Sequence, residues 1–515
     1  MRKAVIQALL MLVALVSSST YAADRYWVGA SGAAWNTTDS WSTSSGGSNG
    51  ASVPGTSDTA IFDSGDTDNC TLTAAVSVTA INMKSGYTGT VDAAGNNITT
   101  SSTVDVTGGT LEIDSSSILA VTGVLTVDGG TLTATDGTID ADSNVIMTAG
   151  TLTAPDGARF TVAGHWSTWA GGTFTHSSGT VTFDGTVTKN ITGTKAGHNF
   201  NNVTISKADV ELRLHKTSIT LDGTLTIDAG ATFNVLQANK NVTVGGDWKN
   251  SGTFLHKSGT VTFDATTGTI DIISGGSAFY DLTLNDGDGD AVFELEDALD
   301  VDNDLTITGG TLDTKSGENN SINIGGDWSN SDTFTSQSGT VTFDATTGTI
   351  DIISGGSAFY DLTLNDGDGD AVFELEDALD VDNDLTITGG TLDTKSGENN
   401  SINIGGDWSN SDTFTSQSGT VTFDGTSTIT TGGIGDGQDF YNVVLNGTSA
   451  TQATNAIDID NNFTITSGTW DTASFDMTVG GTSDTSGGTF ITYSPPADST
   501  DLTAPTLSSS SPSDG

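Results

Sequence analysis

The chain has 515 residues, among them 65 glycines, 6 prolines and one cysteine, Cys70, so an intramolecular disulfide framework is excluded. Its 64 acidic and 15 basic residues give a formal net charge of −49, which excludes nucleic acid as a partner and repels polyanionic glycans unless a divalent cation intervenes. Abundant Gly, Ser and Thr disfavour long helices and favour β-structure with many turns.

Residues 1–22 read as a signal peptide, with Arg2 and Lys3 ahead of an apolar run from Ala4 to Val16 and small residues leading to Ala22. That run is shorter than the roughly 20 apolar residues of a spanning helix, and no later stretch approaches such a length. Export without a membrane span is the expectation. Residues 23–69 carry Trp27, Trp35 and Trp41 and read as an N-terminal cap, because the end of a stacked β-fold otherwise shows its core and an unpaired edge to water. Sugar stacking is the alternative use of these rings.

From residue 70 to 494 the chain repeats itself. GTL or GTF begins at Gly109, Gly130, Gly150 and Gly172, an almost constant spacing. At an offset of 80, Ser258 to Asp344 is identical to Ser338 to Asp424 without a break. The block GGDW ends at Trp248, Trp328 and Trp408 and is echoed by AGHW ending at Trp166.

A short period rich in Thr, Val, Asn and Gly is that of one turn of a β-solenoid, each turn stacked on the last. The strands alternate as half-buried strands do. Val341 and Phe343 stand against Thr340, Thr342 and Asp344, while Tyr360, Leu362 and Leu364 stand against Asp361 and Thr363. The expected class is all-β, a parallel β-helix with coils of about 20–22 residues in super-repeats of 80. A β-propeller is the rival, and the short period argues against it. Taking one super-repeat as about four coils places Trp248, Trp328 and Trp408 on one flank, roughly 19 Å apart. Packing against neighbouring coils and a spaced ladder for a long glycan are the two uses open to them.

The stretch YWVGASGAAWNTTDSWS from Tyr26 to Ser42, followed by VPGTSDTAIFD, resembles the opening of bacterial surface proteins related to the autotransporter-associated β-strand repeat proteins. Blocks such as GGDWSNSDTFTSQSGTVTFD resemble repeats of the same adhesin-like group. The resemblance implies a right-handed β-helix and an extracellular location, and it carries over no catalytic residue. TDLTAPTLSSSSPSDG, from Thr500 to Gly515, is similar to the linker and first strand of bacterial Ig-like domains. Residues 495–515 are accordingly expected to be a linker or the start of a truncated Ig-like domain, with further domains beyond.

The most specific local signal for chemistry is NDGDGDAVFELED, present at Asn285–Asp297 and again at Asn365–Asp377. Its carboxylates fall at positions 1, 3, 5 and 12 of a calcium loop: Asp286, Asp288, Asp290 and Asp297, then Asp366, Asp368, Asp370 and Asp377. Against calcium, Ala291 replaces the usual glycine and strand-like sequence flanks both sides, so a solvated turn is the plain alternative. Catalytic patterns are thin. No histidine follows Ser258, and the GxSxG match from Gly46 to Gly50 lacks the strand and helix that such a nucleophile needs.

The expected function is thus a non-catalytic extracellular structural or adhesion module, secreted or attached to a bacterial surface. Its expected partners are surface glycans or a host or neighbouring cell surface, and calcium is the one candidate cofactor. Two alternatives stand beside it: a carbohydrate-active enzyme of the β-helix class, suggested by fold analogy alone, and a solenoid stiffened by calcium.

Overall fold

A computed structural model describes residues 22–492, apart from 158, 194–197, 207–208, 238–239, 288, 368, 434 and 436, together with 508–509. The expected signal peptide, most of the 495–515 segment, Asp288 and Asp368 lie outside the described residues. The chain divides into two units, Met1–Thr220 and Leu221–Gly515. Each is all-β and built from stacked parallel turns, as the period requires. No helix among the described residues is long and apolar enough to cross a membrane.

In the first unit the opening strand Asp24–Trp27 pairs antiparallel with Trp41–Ser42 on one side and parallel with Thr59–Phe62 on the other. From there the ladders run parallel. Ile81, Val104, Leu125, Val145 and Trp166 stack in register, and so do Ile98, Leu119, Ile139, Phe160, Val181 and Val203. All of these side chains are buried, because a strand sends alternate residues to opposite sides and each inward one lands on the inward one of the next turn. Burying such a side chain stabilises the fold by ~1.5–3 kcal/mol. Trp27, Trp35 and Trp41 are fully buried and close around Phe62, with ring centroids 4.9 to 5.8 Å apart. They are core, with no ring face left for a sugar.

In the second unit three strands make one turn. Turn lengths are uneven. Val242 finds its partner on the next turn at Val261, whereas Trp248, a little further along, pairs only with Ile272. Between Trp248 and Trp328 the chain takes eleven strand steps, counting the single bridge at Phe279. Eleven steps at three to a turn are three and two-thirds turns.

The expectation that one super-repeat makes four turns is therefore corrected. Four turns above Trp248 the ladder reaches Thr333–Thr335, while Trp328 belongs to the neighbouring ladder with Leu305 and Ile352. Trp408 lies in a third ladder, between Leu385 and Ile429. The three tryptophans share no flank.

Candidate functional site

Each copy of the block carries a seam, a place where one sheet stops and another starts on the same side. In the first, the sheet ends at Thr253–Leu255, the next rung is the irregular stretch 274–280, and a new sheet begins at Leu299–Val301 through the bridge from Phe279. The sequence folds this way because Gly275 and Gly276 take φ of +61° and +71°, which interrupts strand geometry at little steric cost to glycine. Side chains replace the missing ladder. Asn250 Nδ2 donates to Ser274 O at 2.7 Å and to Ser277 Oγ at 3.1 Å, and Ser277 Oγ accepts the Phe254 N–H at 3.1 Å. The second seam repeats this with Asn330, Ser354, Ser357 and Phe334. In the third, Gly437 stands in for the serine and its carbonyl accepts the Phe414 N–H.

Behind each seam lies the same aromatic trio: Trp248, Phe254 and Phe279; Trp328, Phe334 and Phe359; Trp408, Phe414 and Phe440. Each tryptophan meets its first phenylalanine edge to face at 4.8 or 4.9 Å, the arrangement that ring quadrupoles favour. The indoles are 1 % exposed. A glycan cannot reach them, so packing is their role.

In the described part of each Asp-rich loop, two of the carboxylates accept backbone hydrogen bonds. Asp286 is buried and its Oδ2 accepts the Ala291 N–H at 2.5 Å, holding the loop closed on itself. Asp297 turns to the seam instead, where its two oxygens accept the N–H groups of Ser274 and Gly275, both at 2.7 Å. Asp290 is exposed. Asp366, Asp370 and Asp377 repeat the pattern, with Ala371, Ser354 and Gly355 as donors. The described carboxylates of each loop thus have separate duties.

The described acids that do converge are others. Oxygens of Asp271, Glu294 and Glu296, and of their copies Asp351, Glu374 and Glu376, lie within 4.8 Å of one another. Register explains the meeting, since Asp271 pairs with Glu294 on adjacent outward-facing rungs. A cation is already supplied by the chain. Lys315 Nζ bonds Glu296 and stands 3.6 Å from both Glu294 and Glu318, and the Glu296 hydrogen bond pushes its pKa up to about 12. Lys395 does the same with Glu376, Glu374 and Glu398. In a chain with 15 basic residues, a lysine kept at one place in both copies was a readable signal that sequence reasoning passed over. The seam asparagines and serines were passed over too.

Comparison of the chain with protein families, with curated proteins and with solved structures returns no match. What the structure establishes is a repeat-built parallel β-solenoid whose copies carry the same seam, the same aromatic trio and, where the block is duplicated in full, the same lysine-centred acid cluster.

Proposed function

We propose that the chain is an extracellular structural or adhesion module, a non-catalytic, acidic, repeat-built stalk of a bacterial surface or secreted protein. One observation carries this reading. The duplicated blocks repeat their contacts as well as their sequence: the Asn250 amide reaches Ser274 at 2.7 Å and the Asn330 amide reaches Ser354 at 2.8 Å, with the serine hydroxyls at 3.1 Å in both. A block that ends as it begins can be added or removed without disturbing a unique site, which suits a part whose job is reach. The signal-like start and the resemblance to adhesin-like repeats support export and surface display. The acidity suits a long β-protein in water, since like charges oppose association between copies.

The test is a series of chains lacking or gaining one duplicated block, displayed on cells and assayed for attachment to a second surface. Attachment that survives while the contact distance scales with block number is the expected result. Folded chains that lose all attachment on removal of one block would overturn the stalk.

A further inference from the structure

The first seam differs from the second at Lys249, Gly252, Leu255, His256 and Lys257, and the last two bring new chemistry. Phe254, Tyr280 and Asp302 recur as Phe334, Tyr360 and Asp382, but His256 and Lys257 become Ser336 and Gln337 in the second copy and Ser416 and Gln417 in the third. The His256 ring lies nearly parallel to Tyr280, at 26° with centroids 5.8 Å apart, and its Nε2 is 3.0 Å from Asp302 Oδ2. These three line an open cleft of about 550 Å³ with Phe254, Lys257 and Ser258.

The backbone at the rim is also particular. Lys257 and Ser258 have φ of +47° and +61°, two consecutive left-handed residues that are not glycine, while the copies place only Gln337 or Gln417 there. Such conformations persist where the surroundings over-determine them, and they gather at ligand clamps. In the copies the glutamine reaches back to Asp313 or Asp393 on the preceding turn. In the first seam the preceding rung offers Asn234 at that position, and Lys257 stands exposed at the rim.

We infer that this cleft docks a neutral glycan, one sugar unit set against the Tyr280–His256 pair with its hydroxyls between Asp302 and Lys257. An aromatic wall with a few fixed polar groups is the usual make-up of a small-ligand site. Asp302 accepts hydrogen bonds, Lys257 and Ser258 donate them, and both kinds within one cleft match a polyol rather than an ion. The field of a chain with net charge −49 opposes polyanionic glycans. Trp248, Trp328 and Trp408 are buried, whereas Tyr280 is partly exposed and within a sugar's reach. The inference rests on the adhesive half of the function proposed above and gives it a place and a ligand class.

The test is calorimetric titration of the whole chain with hexaoses of glucose, mannose and galactose, and with hexagalacturonate as the charged comparison. Expected is one neutral hexaose bound per chain. The double variant H256S/K257Q, which installs a pair that the fold already accommodates at 336–337 and 416–417, should melt as the parent does and bind at least tenfold more weakly. Tyr280→Ala should lose as much. Absence of binding by every neutral hexaose at millimolar concentration, preference for hexagalacturonate, or indifference to both variants overturns the cleft. Attachment to cells that persists in the double variant also overturns the cleft while sparing the adhesive reading. A parent chain that attaches to no surface removes that reading, and the titration still decides the cleft.

Discussion

Trp248 and Trp328 close successive copies of the GGDW block, yet they stand in different ladders, the first between Leu225 and Ile272 and the second between Leu305 and Ile352. The two blocks share their GGDW motif and are rotated against each other by one side of the solenoid. A module of this kind shows each repeated patch in a new direction, and three copies go round once.

Removing Ser338–Gln417 deletes three and two-thirds turns and rejoins Gln337 to a serine and glycine like those it had. The shortened chain should fold with the same circular dichroism per residue and with its second unit about 18 Å shorter, from a rise of about 4.8 Å per turn. Small-angle scattering of parent and variant checks this. An unfolded product, or one of unchanged length, would show that the blocks are not interchangeable.

The seam depends on its aromatic filling and on one amide. Trp328→Ala empties the space behind Phe334 and Phe359 and should cost ~3–5 kcal/mol in a denaturant titration. Asn330→Ala strands the Asp332 N–H and the Ser354 carbonyl, at about 1–3 kcal/mol. A loss below about half a kcal/mol in either variant would mean that the seam is not held as described.

Among its described residues, the Asp-rich loop separates into carboxylates that the backbone uses, Asp286 and Asp297, and Asp290, which stands in water. Asp297→Ala leaves the buried Ser274 N–H without its partner and the exposed Gly275 N–H to water, and should cost about 1–2 kcal/mol. Asp290→Ala, at an exposed site, should stay within about 0.5 kcal/mol. Both effects are expected in chelator and in millimolar calcium alike. If calcium raises the parent's melting temperature and Asp290→Ala abolishes that rise, the loop is a cation site after all.

The flank of the second unit carries a series of carboxylates that share one shift. Burial, then Asp302 and Asp344, raises the pKa of Asp300; burial, then Asp382 and Asp424, raises that of Asp380; burial, then Asp222, raises that of Asp264. Asp302 and Asp344 follow neighbouring rungs on either side of Gly325, which has no side chain to part them. A carboxyl raised in the folded state contributes stability that is complete below its unfolded value and is lost as pH rises through the folded one. Melting temperature should therefore climb as pH falls from 7 towards 4, and Asp300→Asn should flatten part of that climb. Asp484, lowered by its hydrogen bonds from Ser486, opposes the trend. A melting temperature that falls steadily over that range would refute the assignment.

Much of this architecture was legible before any coordinates. Alternation in segments such as Thr340–Phe343, a period near twenty and the absence of helical stretches require parallel stacked strands, because a period-two side-chain pattern repeated at one turn's length can bury its inward set only against its own next turn. The burial of Trp27, Trp35 and Trp41 follows from the same need to cover the core. The loop aspartates were visible as well, but their duties were not. Spacing along a chain does not say which backbone N–H a carboxylate faces, and Asp297 finds its donors, Ser274 and Gly275, on the preceding turn.

What no reading of the chain could supply was how far it winds between copies. Hydrogen bonding fixes the strands rung by rung, but corners and the seam absorb a variable length of chain, so a short turn from Val242 to Val261 and a long one from Trp248 to Ile272 occur side by side. That slack, accumulated over a block, turns an expected four revolutions into three and two-thirds. It decides which side each tryptophan, lysine and histidine occupies.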